Sequence, residues 1–132
     1  MKEPPERYWT RASIDYLAGR LSLPNTPDMQ DWAFQVAEPS DLDLYLALFA
    51  ELQGNEDLRF TLADIIIQAF ESAHEYLDDD PRLADFLNDL LANFDTHAYQ
   101  VWYWASFDVD LEDAWSVAPF MRSLATQTQP SS

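Results

Sequence analysis

Glu71-Ser72-Ala73-His74 has the E-x-x-H spacing that brings a carboxylate and an imidazole onto one face of a helix, as in di-iron bundles. A two-metal centre needs a second copy of that motif. The other histidine, His97, has Phe94 three residues before it, so the half-motif assigns no metal. Asp108-Val109-Asp110-Leu111-Glu112 places oxygen donors at alternate positions, like the opening of a calcium-binding EF-hand loop. The sixth position of that loop holds Asp113 where glycine must turn the chain. The twelfth holds Pro119 where a bidentate glutamate belongs, and the run reads as a helix-capping turn.

Catalytic constellations are missing in the same way. General acid-base work needs two carboxylates whose surroundings separate their pKa values, and no pair among the many acids is singled out. Ser72 stands two residues from His74, a spacing that points the two side chains in different directions on a helix. Neither a nucleophile elbow nor a glycine-rich phosphate loop occurs. The chain reads as a non-enzyme with no cofactor.

The acids have another use. Twenty-four Asp and Glu face seven Lys and Arg, giving a formal charge of −17, and Lys2 is the only lysine. Such a field repels nucleic acid and anionic membrane and speeds encounter with a basic partner. It is also uneven: from Glu56 to Asp113 there are fifteen acids and two bases, Arg59 and Arg82. The absence of cysteine excludes disulfides, thiolate zinc sites and a cysteine nucleophile, and agrees with a reducing compartment. No run approaches the ~18 apolar residues of a membrane span, and Met1-Lys2-Glu3-Pro4-Pro5 lacks the apolar core of a secretory signal. The expectation is a cytoplasmic protein.

The elements that must position these residues are helices. The two glycines, Gly19 and Gly54, and the Pro- and Asp-containing breaks punctuate helical periodicity, and no strand-like alternation appears. The predicted fold is an all-α, compact single-domain bundle of six or seven helices over residues 1–132, with frayed ends at about 1–5 and 127–132. The spacing predicts helices from Pro5 to Leu21, Asp28 to Val36, and Ser40 to Gly54. A long spine from Asp57 to Leu77 follows, with apolar residues at intervals of three and four. Asp80 as cap and Pro81 at the first position open the next helix, which ends near Asn93. Thr96 to Phe107 carries aromatics on every side, as a central helix does, and a last helix restarts at Pro119.

On the spine, Asp57, Asp64, Glu71 and Asp78 recur every seven residues with Glu75 between the last two, forming one acidic edge. Asp79 and Asp80 extend it at the helix junction, and Asp85 and Asp89 continue it on the next helix. Like charges four residues apart oppose helix formation, so these carboxylates are candidates for binding a Lys- or Arg-rich surface. Trp102 and Tyr103 are candidate anchors, because interface hot spots are rich in Trp and Tyr.

Asn93, His97, Trp102, Tyr103, Trp104, the pair Glu112 and Asp113, and the run Val117-Ala118-Pro119-Phe120-Met121-Arg122 together resemble small helical immunity proteins of bacterial toxin systems, including contact-dependent growth inhibition. The resemblance covers about the last 40 residues. It implies a cytosolic antitoxin that neutralises a basic toxin, often a nuclease, by stoichiometric binding. Two other binding modes stay open on the residues: a nucleic-acid mimic whose carboxylates imitate phosphates, and an assembly subunit that associates through its aromatics.

Overall fold

Apolar residues at intervals of three and four, with no alternating runs, leave helix as the only way to bury a face. The computed structural model describes residues 2–73 and 77–128, and every regular element among them is helical. Seven α-helices follow in order: α1 (Arg11–Leu21), α2 (Trp32–Val36), α3 (Leu42–Glu51), α4 (Glu56–Ala73), α5 (Pro81–Ala92), α6 (Phe94–Ala105) and α7 (Ala118–Thr128). Short 3₁₀ turns cover Pro39–Asp41, Leu77–Asp79 and Leu111–Asp113. The chain forms two compact units, one over Tyr8–Ala73 and the other over Met1–Arg7 with His74–Ser132. No described helix is long and apolar enough to cross a membrane.

In the first unit, α1, α2 and α3 each pack on α4. Eleven of the eighteen residues of α4 are buried, from Arg59 through Ile67 without a break and then Ala69 and Phe70. A helix buried around its circumference must satisfy its polar side chains internally. It does so. Thr61 shares a 2.8 Å hydrogen bond with Ser13 of α1. Arg59 donates from Nε to the Phe49 carbonyl at 3.1 Å, its guanidinium 3.7 Å from the Phe49 ring centroid. Gly54 takes the turn between α3 and α4 at φ 92°, a conformation that costs glycine little.

The start of α1 differs from the predicted Pro5. Thr10 adopts extended backbone, and its hydroxyl accepts from the Ser13 amide at 3.0 Å, so the cap sets the helix start at Arg11. Similarly, the predicted cap Ser40 lies inside a 3₁₀ turn, and α2 is shorter than the predicted Asp28–Val36. Trp32 pins the preceding loop by donating to the Pro24 carbonyl at 2.7 Å.

In the second unit α5, α6 and α7 pack on one another, α6 and α7 most extensively. Leu83, Phe86 and Leu90 form the buried stripe of α5, and Asp85 and Asp89 stand on its exposed side. The predicted start of α5 is observed: Pro81 is its first residue, and Asp80 caps it by accepting from the Arg82 amide at 2.9 Å. Arg82 also holds both Asp80 oxygens, from Nε at 3.0 Å and Nη2 at 2.8 Å. That hydrogen bonding lowers the Asp80 pKa below the ordinary aspartate value. A carboxylate with a depressed folded pKa contributes stability above its unfolded pKa and loses it as pH falls through the folded one. Asp80→Ala is therefore expected to cost about 1 kcal/mol at neutral pH. The difference from wild type in urea denaturation should stay constant down to about pH 4 and close below it.

The inward face of α6 corrects the expectation of an aromatic central helix. Its buried stripe is Thr96, His97, Gln100, Val101, Trp104 and Ala105, whereas Tyr99 and Trp102 are half-buried and Tyr103 is exposed. His97 and Gln100 lie one helical turn apart and hydrogen-bond to each other through Nδ1 and Oε1. Thus two polar side chains take inward positions by pairing, and aromatics are released to the surface. At the other end, α7 is helical through Thr128, and the rest of the predicted frayed end, at about 127–132, lies outside the described residues.

Candidate functional site

The predicted carboxylates meet different fates. Asp64 is only 6% exposed and accepts the Trp9 indole N–H at 2.8 Å, which removes it from any acidic surface. Trp9 lies in irregular chain and is itself placed edge-on against Phe34, 5.2 Å between centroids. Asp57 is half-buried and accepts from the Thr10 hydroxyl at 2.6 Å. Both side chains therefore tie the chain entering α1 to α4, and the seven-residue spacing reflects that internal task. Glu71 is half-buried, and Glu75, like His74, lies outside the described residues.

Asp80 is occupied by Arg82, an ion pair at 2.8 Å. That leaves Asp78 and Asp79 on the 3₁₀ turn, and Asp85 and Asp89 on α5, as exposed carboxylates of the second unit. Of the predicted anchors, Tyr103 is exposed, whereas Trp102 is half-buried with its ring 5.7 Å from that of Tyr99.

The end of α6 and its connection to α7 carry a set of exposed side chains of which the sequence reading singled out only Tyr103. Tyr103, Phe107, Val109, Leu111 and Trp115 are each between 39% and 51% exposed. Asp108, Asp110, Glu112 and Asp113 lie between them in the chain and are exposed as well. Trp115 sits against the buried Trp104 with centroids 5.3 Å apart, and Tyr103 meets Trp104 edge-on at 5.6 Å. The signal for this surface is the alternation of apolar and acidic residues from Phe107 to Glu112, which the calcium-loop comparison obscured.

Arg122 on α7 orders the connection. Its Nε donates to the Ala105 carbonyl at 2.7 Å, and Nη2 donates to the carbonyls of Ser106 at 2.5 Å and Val109 at 2.7 Å. Ser106 ends α6 in the left-handed region at φ 51°, unusual for a residue with a β-carbon, and the guanidinium holds the carbonyls on both sides of that bend. The Arg122 guanidinium also lies 5.6 Å from the Phe107 ring centroid. A cation at a helix C-terminus meets the negative end of the helix dipole as well as the unsatisfied carbonyls.

Asp110, Glu112 and Asp113 offer oxygens within 4.8 Å of one another, all on exposed side chains. Open carboxylate groups of this kind are ordinary on an acidic surface and assign no ion. The arrangement does suit docking: large side chains available for burial, carboxylates between them in the chain, and a backbone held by Arg122. No family model, curated protein or solved structure matches this chain.

Proposed function

We propose that this chain is an acidic protein-binding module that acts as an immunity protein, neutralising a cognate basic toxin domain by stoichiometric binding in the bacterial cytoplasm and without catalysis. One observation carries the reading. The end of α6 and its connection to α7 expose five large apolar side chains, Tyr103 on the helix and four in the connection, with four carboxylates among them in the chain. Apolar side chains gathered at a protein surface mark interaction sites, and hot spots favour Trp and Tyr surrounded by residues that exclude water. The surrounding charge supplies steering toward a basic surface and rejects acidic competitors. Nuclease-type toxins have the required sign, since they must hold phosphates.

Isothermal titration against the protein encoded beside this gene, expected to be a basic toxin domain, tests the proposal. A one-to-one complex is expected, and Trp115→Ala should weaken it about thirtyfold, the size of a typical hot-spot loss. Neutralising Asp108, Asp110, Glu112 and Asp113 together should slow association and flatten its salt dependence. Lack of a complex, or an affinity indifferent to both variants, would sink the proposal.

A further inference from the structure

Beside the Leu77–Asp79 turn the second unit carries an open groove of about 630 Å³, lined by Leu77, Asp78, Asp79, Ser116, Pro119, Phe120 and Ser123. Its composition divides by chemistry. Leu77, Pro119 and Phe120 give an apolar lining, Ser116 and Ser123 add hydroxyls, and Asp78 and Asp79 bring two exposed carboxylates. Neither aspartate has an ion-pair partner among the described residues. Arg82, two residues beyond Asp80, is already engaged by that carboxylate.

We propose that this groove receives an arginine side chain of the protein partner, its methylenes against Leu77 and Pro119, its guanidinium on the Phe120 ring and paired with Asp78 and Asp79. This rests on the protein-binding reading above and gives it a second point of attachment. Two neighbouring carboxylates exclude an anionic occupant, and an apolar lining favours a cation with a hydrocarbon stem over a hydrated metal ion. Arginine fits better than lysine: its planar, weakly hydrated guanidinium stacks on an aromatic face and pairs with carboxylates through two parallel hydrogen bonds. Ser116 follows Trp115 directly in the chain, so an arginine seated here enters beside one of the exposed rings of the docking surface.

The test needs no toxin in its first arm. Blocked tripeptides with arginine, lysine or citrulline at the centre are titrated into the protein, and amide shifts are followed by NMR. The arginine peptide should bind in the roughly millimolar range expected of one side chain. Its shifts should centre on Asp78, Asp79, Ser116, Phe120 and Ser123, and lysine should bind several-fold more weakly. Citrulline, which keeps the shape without the charge, should bind about tenfold more weakly still. Asp78→Asn with Asp79→Asn should abolish the preference, and Ser123→Trp should block the groove while leaving both carboxylates.

Equal binding of arginine and citrulline, or shifts centred elsewhere, would overturn the assignment. In the second arm, the double asparagine variant should bind the toxin domain about tenfold more weakly. An unchanged affinity overturns the groove while the Trp115 result still stands for the immunity reading; selective peptide binding with no toxin complex does the reverse.

Discussion

Trp104→Ala is expected to lower stability by about 3–5 kcal/mol, the range for removing a fully buried indole from a core that cannot collapse around the gap. Trp104 is 1% exposed and is the buried member of the contacts with Tyr103 and Trp115. The loss should appear in urea denaturation as a lower midpoint with an unchanged slope. A cost under about 1.5 kcal/mol would mean that neighbouring rings refill the space. Trp115 sets the contrast, since it is 43% exposed and returns part of its surface to water in the free protein. Its truncation should spare stability and penalise binding, whereas truncation of Trp104 should impair both by loosening the platform on which Trp115 rests.

Arg122→Ala should be the second large effect, at about 3 kcal/mol. Three carbonyls lose a charged donor, and hydrogen bonds to charged groups contribute about 1.5–3 kcal/mol each before solvent exposure reduces them. Arg122→Lys should recover less than half, because an ammonium cannot span carbonyls at residues 105, 106 and 109 as the guanidinium fork does. The structural readout is hydrogen exchange: protection near the end of α6 and across residues 106–109 should fall in the alanine variant and leave α5 unaffected. Uniform loss across the unit would instead assign Arg122 a purely global role. If the connection docks a partner, affinity should also fall about tenfold without loss of a direct contact, because the disordered segment must be fixed on binding.

How far these sites were legible depends on whether the deciding partner was local. The start of α5 was readable because Asp80, Pro81 and Arg82 act within one turn. The task of Asp64 was not, because its partner Trp9 lies 55 residues away in a segment without periodicity. A carboxylate repeated every seven residues looks the same whether it faces water or a buried indole. α6 misled for a related reason. Sequence alone ranks Tyr and Trp as more buried than His and Gln, but His97 and Gln100 hydrogen-bond to each other through Nδ1 and Oε1 and take the interior. Among the candidate binders, Asp78, Asp79, Asp85, Asp89 and Tyr103 are exposed, as a surface role requires. The cluster from Phe107 to Trp115 was not, since no helical stripe marks a connection whose shape is set by an arginine arriving from the next helix.

The arrangement of α1, α2 and α3 around α4 bears on how the protein is destroyed as well as how it is built. No peripheral helix can detach from Tyr8–Ala73 without wetting Phe60, Ile65, Ile66 or their neighbours on the central one. Partial opening is then nearly as costly as complete opening, and a protease finds few intermediate forms to cut. Turnover of that unit becomes a matter of rare, whole-unit excursions, and its lifetime is set by the rate of complete unfolding.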